Sequence, residues 1–213
     1  AGPAANGLTP LSAHVVAFSN TQQLRVDGTK LINTGNIDAS SADTIGLEFG
    51  AQKSNVIVQG EYEDFGVRRT DVASDPNFQG YYVEGLWTIT GEPRNYNHQT
   101  AAFDAPIPVH PFSWGEGTWG AWELGLRYSD IDLNYHAGAP GKAQPATGIR
   151  GGEEENVSLD LNWYPNSLVK FMLDYEHVHI DRLSPSAAIF ATPVGAQIGQ
   201  TYDALAVRSQ FSF

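Results

Sequence analysis

The sequence predicts an all-β protein whose antiparallel strands form a transmembrane β-barrel. Seven segments alternate apolar and polar residues with period 2. Most of them do so over close to the ~10 residues with which a tilted strand spans a bilayer. Aromatic residues lie at or near the segment ends, and two tight turns occur among much longer links. No apolar run approaches the ~18 residues of a membrane-spanning helix, and no segment shows a convincing helical stripe.

Each of the seven segments has one apolar face. In chain order, these faces are formed by Ile45, Leu47 and Phe49; Val56, Val58 and Tyr62; Tyr81, Val83, Trp87 and Ile89; Trp122, Leu124, Leu126 and Tyr128; Val157, Leu159, Leu161 and Trp163; Val169, Phe171, Leu173 and Tyr175; and Leu205, Val207, Phe211 and Phe213. Because successive side chains of a strand point to opposite sides, each apolar face has a polar face behind it. An eighth, weaker candidate strand lies near residues 23–32.

The polar faces repeatedly carry charged residues. They could be the wet outside of a soluble sandwich or the water-filled inside of a membrane barrel. The aromatic residues favour the barrel, because girdles at the two bilayer interfaces place aromatic rings near strand ends, whereas a sandwich core would place them in mid-strand. The residues concerned are Tyr62, Tyr81, Trp87, Trp122, Tyr128, Trp163, Tyr175, Phe211 and Phe213.

The links between the segments differ in length. Residues 52–55 and 164–167 are tight turns, whereas the links 64–77, 91–118, 131–155 and 181–200 are long. Long loops at one end and short turns at the other are the rule in outer-membrane barrels. By count, the link 91–118 falls on the short-turn side. We therefore hypothesise that it folds back into the barrel interior.

The composition argues against several classes of function. The 213-residue chain has no Cys, which excludes a disulfide scaffold and a Cys-based metal site. Its net charge of −12 argues against nucleic acid as a partner. No nucleophile elbow and no cofactor motif are present, so we expect neither an enzyme nor a cofactor.

Three minor candidate sites remain. His177 and His179 share a strand face and could grip a metal ion, but no third ligand of suitable spacing accompanies them. Residues 130–134 begin like a calcium loop, yet Tyr135 and Gly141 stand where an EF-hand needs Gly and Glu. The acidic run 153–155 is either a solvated loop segment or a holder of a divalent ion beside lipopolysaccharide phosphates.

Several ordered blocks of the sequence resemble a known family. They are Gln79-Gly80-Tyr81-Tyr82-Val83 with Leu86 and Thr90-Gly91-Glu92; Gly120-Ala121-Trp122-Glu123-Leu124 with Arg127-Tyr128-Ser129; Gly151-Gly152-Glu153 with Asn162-Trp163-Tyr164-Pro165-Asn166; and the terminal Leu205-Ala206-Val207-Arg208-Ser209-Gln210-Phe211-Ser212-Phe213. Together they resemble the phosphate-selective porin O/P family of outer-membrane porins. The resemblance covers roughly residues 33–213.

The resemblance implies a sixteen-stranded barrel in the bacterial outer membrane, usually a homotrimer, with basic residues lining a path for small anions. Its surroundings would be outer-membrane lipid and lipopolysaccharide. This chain holds about eight strands, and an eight-stranded barrel has an interior filled by side chains that conducts poorly. We therefore expect residues 1–213 to form a single barrel domain that is the C-terminal part of a larger barrel.

The charges differ from the anion path that the resemblance implies. Rings of basic side chains favour anions and rings of acids favour cations, and acids predominate on the polar faces of this chain. A phosphate filter would then need basic residues from the rest of the barrel, paired with these acids. The residues expected to line the pore are Arg127, Lys170, Arg208, Glu123, Glu84, Asp160 and Asp174.

Passive diffusion of small solutes is the function that these observations favour, with an anion or phosphate preference implied by the resemblance. A structural or anchoring barrel whose loops bind partners is the alternative. A membrane-embedded lipid hydrolase is disfavoured, because the histidines have no evident Ser partner. Phe211 and Phe213 complete the resemblance, which suggests that the terminal aromatic strand is read by the outer-membrane insertion machinery.

Overall fold

The computed structural model describes residues 14–21, 23–24, 28–70, 74–185 and 192–212. These residues form twelve β-strands: β1 (Val15–Val16), β2 (Ser19–Thr21), β3 (Lys30–Asn33), β4 (Ile37–Lys53), β5 (Val56–Arg69), β6 (Asn77–Thr88), β7 (Tyr96–Asn97), β8 (Ala102–Phe103), β9 (Ala121–Tyr135), β10 (Ile149–Tyr164), β11 (Val169–Asp181) and β12 (Thr201–Phe211). Within these ranges, no helix is long and apolar enough to cross a membrane.

Eight of the strands form one antiparallel sheet in the order β1-β4-β5-β6-β9-β10-β11-β12. The seven long strands of this sheet overlap the seven predicted segments, which confirms the all-β, antiparallel fold. Among the described residues β12 pairs only with β11, so the sheet is not closed. The sheet is therefore an open section of barrel wall.

The eighth predicted strand, near residues 23–32, is not part of this wall. Its described residues contribute to β3, which pairs with β2 in a separate two-stranded sheet. Ile32 is fully buried in an apolar cluster on the polar side of the large sheet, and this packing holds the hairpin against the inner face of the wall as a separate sheet. The eighth strand of the wall is the short β1, which pairs with the first residues of β4.

The two faces of the wall have inverted polarity compared with a soluble sheet. On the outer face Leu47 is 70% exposed and Val207 is 78% exposed, whereas Glu123 and Glu176 on the inner face are 0% exposed. A soluble protein rarely exposes such a continuous apolar surface, but a barrel wall in a bilayer does so on its lipid side. The outer face is therefore the lipid-facing side.

Antiparallel order places the links at two ends. The turns between β4 and β5 and between β10 and β11 are short and lie at one end, the short-turn end. The strand ends that the other three links join, from β5 to β6, from β9 to β10 and from β11 to β12, lie at the opposite end, the loop end. The C-terminal end of β12 lies at the short-turn end.

At the loop end, the β2–β3 hairpin covers the inner face. Ile32 packs with Val67, Phe78, Val178 and Ile180, which are all buried residues of the wall strands. The guanidinium of Arg182 also holds the hairpin, by donating to the carbonyl oxygens of Leu31 and Asn33 at 3.2 and 3.1 Å. This hairpin narrows the inner space at the loop end.

At the short-turn end, residues 89–120 form a long connection that includes the small β7–β8 hairpin. Its Phe103 ring lies so close to β4 that a Cβ added to Gly50 would be 3.3 Å from it. Farther along, Phe112 N donates to Pro165 O at 2.7 Å, and Trp163 Nε1 donates to Trp119 O at 2.6 Å. The 89–120 segment therefore runs from the inner face, across the strand ends, to the outer aromatic row.

Candidate functional site

The inner face of the sheet carries ionisable and hydrogen-bonding side chains, and we call it the inner wall. It consists of the side chains that alternate with the lipid-facing ones. Its polar members on β5, β6, β9, β10 and β11 include Glu61, Glu63, Glu84, Glu123, Arg127, Asn156, Ser158, Asp160, Asn162, Lys170, Asp174 and Glu176.

A buried ion pair joins the inner wall to the 89–120 segment. Arg94 donates from Nε and Nη2 to the two carboxylate oxygens of Glu123, at 2.8 and 2.6 Å. The Glu123 side chain is fully buried and that of Arg94 is 13% exposed. This two-point contact between a guanidinium and a carboxylate fixes both the distance and the orientation of the pair.

Neutral donors complete the surroundings of Glu123. Tyr164 Oη donates to it at 3.1 Å, Asn162 Nδ2 at 3.3 Å and Thr88 Oγ1 at 3.4 Å. Burial lowers the pKa of Arg94, but the hydrogen bond and the charge of Glu123 outweigh this effect and raise the pKa above its ordinary value. Arg94 is therefore a permanently charged anchor.

Arg127 lies at mid-wall between an aromatic ring and an acid. Its guanidinium carbon is 3.8 Å from the centre of the Tyr82 ring, and its Nη1 is 3.4 Å from Glu84 Oε2. Gln59 donates to the other oxygen of Glu84 at 3.3 Å. The pair is more open to water than the Arg94–Glu123 pair, with side chains 27% and 15% exposed.

Two acids and a lysine face one another across β10 and β11. Asp160 and Asp174 are direct partners in the register of the two strands. Lys170 lies near the short-turn end of β11, with its ammonium 5.2 Å from the centre of the Tyr164 ring. Tyr164 thus contacts both the Lys170 ammonium, through its ring, and Glu123, through its hydroxyl group.

Comparison with known proteins shows to which family this barrel wall belongs. A family model described as Phosphate-selective porin O and P matches residues 5–213. The chain belongs to this family. It is 29% identical over 140 residues to Porin O of Pseudomonas aeruginosa, a match that covers 65% of this chain and 30% of that protein. An uncharacterized protein of Caulobacter vibrioides is 31% identical over 100 residues, or 47% of this chain and 17% of that protein.

Membership of this family places the chain in a porin of the Gram-negative outer membrane. The predicted family and location are thereby confirmed. A porin points to a channel rather than to an enzyme. The matched part covers less than a third of either relative, so the activity of the whole porin belongs to the proposals below.

The remaining predicted site residues lie at the edges of the described wall. Arg208 is exposed on β12, where it is the register partner of Met172. Phe211 is 58% exposed on the outer face at the end of β12, and Phe213 lies outside the described residues. The pore-lining and assembly roles of these residues stay predictions.

The structure adds a group of arginines that the sequence did not single out. Arg69, Arg150 and Arg182 line one cavity at the loop end of the porin wall. Arg69 ends the polar face of β5, so strict alternation could have found it. Arg150 lies before a register shift in β10, and Arg182 follows β11, so neither had a periodic signal.

The two histidines on the outer face have other partners. His177 Nδ1 lies 2.8 Å from Asp203 Oδ1, and His179 Nδ1 lies 2.7 Å from Thr201 Oγ1. Within the ranges that the structure describes, no group of three or more His, Cys, Asp and Glu side chains is arranged to hold a metal ion.

Proposed function

We propose that the porin containing this chain conducts small solutes passively, with a preference for anions and for phosphate in particular. The observation that carries this proposal is the inverted polarity of the wall, with exposed apolar residues outside and charged residues inside. A wall of this kind separates lipid from water and serves a channel. The phosphate preference is supported by the family of the chain, the phosphate-selective porins O and P.

Charge pairing makes the inner wall less acidic than a count of residues indicates. Arg94 neutralises Glu123, and Arg127 lies against Glu84. The three arginines at the loop end have no carboxylate partner within 4.0 Å among the described residues. Basic side chains near a pore entrance favour anions, because the charge of the solute meets the charge of the wall where water is scarce.

The rest of the barrel has to complete the pore. We propose that this chain supplies the C-terminal part of a single, roughly sixteen-stranded barrel domain, since the open sheet leaves β12 with an unpaired edge and unpaired edges are not tolerated in lipid. We further propose that the porin is a homotrimer embedded in outer-membrane lipid and lipopolysaccharide. Cross-linking of the full-length porin in native membranes tests the trimer, which must appear as a three-subunit species.

The reversal potential of the full-length porin in a planar bilayer tests the proposed function. With a tenfold gradient of potassium chloride, we expect a potential whose sign reports chloride passage, and we expect added phosphate to reduce the chloride current. A cation-selective potential would contradict the anion preference. Correctly folded porin without conductance would favour the anchoring barrel instead.

A further inference from the structure

Six aromatic rings form one continuous cluster on the outer side of the wall at the short-turn end. They are Phe112, Trp114, Trp119, Trp122, Trp163 and Phe171. The last three belong to β9, β10 and β11, and their rings stack in one row on the lipid side. The first three belong to residues 112–119 of the connection between β8 and β9, which we call the tryptophan loop. This loop therefore adds three rings to the aromatic row of the strand ends.

Hydrogen bonds fix the tryptophan loop against the strand ends. Its two ends are bonded to β10 and to the turn that follows β10. Between them, Ser113 and Thr118 exchange two backbone hydrogen bonds at 3.1 and 3.2 Å, and the Thr118 hydroxyl donates to Pro111 O. Backbone polar groups at the edge of a bilayer need partners within the protein, because hydrocarbon offers none. The base of the loop meets this requirement.

The loop presents its largest side chains to the outside. Trp114 is 81% exposed and Trp119 is 56% exposed, although both rings contact Phe112. Residues 105–119 contain a single Asp, Glu, Lys or Arg, which is Glu116 at the exposed tip between two glycines. A contiguous exposed apolar patch marks an interaction surface. Each indole joins a broad apolar ring to one N–H donor, and this chemistry suits the boundary between lipid headgroups and hydrocarbon.

The loop lies at one border of the apolar band on the outer face. Along β9, Trp122 is followed on this face by Leu124, Leu126 and then Tyr128, so aromatic residues bound the aliphatic part at both ends. Girdles of aromatic residues mark the two membrane interfaces of a barrel wall, and its short turns face the periplasm. Because Trp122 and Trp114 belong to one ring cluster, the loop lies at the girdle of the periplasmic interface.

We propose that the tryptophan loop binds the phospholipids of the periplasmic leaflet, with Trp114 and Trp119 among the headgroups and Glu116 in water. The surface of the loop continues the lipid-facing wall, and it offers almost no charge that a charged protein partner could complement. The same segment holds Arg94 against the inner wall. The bilayer and the inner wall thus hold the 89–120 segment at two places, whichever solute the porin conducts.

Spin labels in the full-length porin test the proposal. A nitroxide is attached at Trp114→Cys in a cysteine-free background, and the folded porin is placed in phosphatidylcholine vesicles. Leu126→Cys, on the outer face in mid-strand, is the lipid reference, and Thr100→Cys, exposed in the same 89–120 segment, is the water reference. We expect oxygen to reach the Trp114 label more readily than a water-soluble nickel complex does, with a depth between those of the two references.

Two results with the Trp114 label would overturn the proposal. A label as accessible to the nickel complex as the Thr100 label would place the loop in water. A label shielded from both reagents would show that protein, such as a second copy of this chain, covers the loop. Heat-modifiable migration on gels checks that each labelled variant is folded.

Quenching of tryptophan emission tests the native side chain, and it decides if the labelled variant does not fold. The emission of Trp114 is the difference between native porin and Trp114→Phe. In vesicles whose lipids carry bromine near the headgroups, most of this difference should be lost compared with unbrominated vesicles. An equal difference in both kinds of vesicle would show that Trp114 does not contact lipid and would overturn the proposal.

Discussion

Replacement of Arg94 by Met in the full-length porin leaves Glu123 without the guanidinium that neutralises it. The Glu123 side chain is fully buried and that of Arg94 is 13% exposed, so water compensates little of the loss. Removal of one partner of a buried ion pair costs about 3–5 kcal/mol, because the other charge stays buried and unpaired. Tyr164, Asn162 and Thr88 still donate to Glu123, which places the cost near the lower figure.

This cost should appear as local detachment of the 89–120 segment, since detachment lets water reach Glu123 while the strands stay paired. About 3 kcal/mol corresponds to roughly a hundredfold larger population of the detached form. The amide of Phe112, which donates to Pro165 O, then exchanges its hydrogen up to roughly a hundredfold faster. Hydrogen exchange of the folded porin followed by mass spectrometry measures this.

Two variants decide whether the ion pair is responsible. Arg127→Met removes a more exposed guanidinium, 3.4 Å from Glu84, and should cost only about 0–1 kcal/mol and leave the Phe112 amide unaffected. The double variant of Arg94→Met with Glu123→Gln removes both charges and should restore most of the protection. Equal exchange in both Met variants, or no recovery in the double variant, would refute the reasoning.

Three further predictions concern the wall and its assembly. Leu205→Arg places a charge on the lipid side near the middle of β12 and should lower the free energy of unfolding by about 2–4 kcal/mol, whereas Ala206→Arg on the inner face should lower it much less. Urea titration of the refolded porin in vesicles compares the two variants. Equal costs would contradict the assignment of the faces. Gly120→Ala should reduce the folded yield far more than Gly117→Ala. Both glycines have a positive φ, but only at Gly120 would an added Cβ meet the backbone, at 2.2 Å from the carbonyl oxygen of Tyr164. Equal folded yields on gels would contradict this contact. Deletion of Phe213 should lower insertion into the outer membrane, measured by cell fractionation, and undiminished insertion would refute its role in assembly.

The wall strands were predictable because alternation is a local property. A strand with one face in lipid and the other in water must change polarity at every residue, so seven long strands and both of their faces could be read directly. The β2–β3 hairpin could not be read in this way. Its Ile32 is buried by residues of β5, β6 and β11, which come together only in the folded chain.

The candidate site was predictable only where it follows the strands. Glu123, Arg127, Lys170 and Asp174 were expected on the inner face, and alternation places them there. Arg94 was missed because its partner lies 29 residues away and no short motif links the two. Arg150 was missed for a similar reason, since it is held by backbone carbonyls, which every residue carries and which leave no mark in the sequence.

The inner carboxylates also show why a count of charged residues does not predict the accessible charge on the inner face of a barrel wall. Glu123 holds Arg94 of the 89–120 segment at the short-turn end. Glu154 accepts a hydrogen bond from Asn20 of the β2–β3 hairpin at 3.2 Å, near the loop end. Both carboxylates are buried, and each holds a segment that enters from one end of the wall, so neither contributes an accessible charge to the inner face. In the proposed channel, the charges that matter are those that stay accessible after docking, and at the loop end these include the half-buried Arg69 and Arg182.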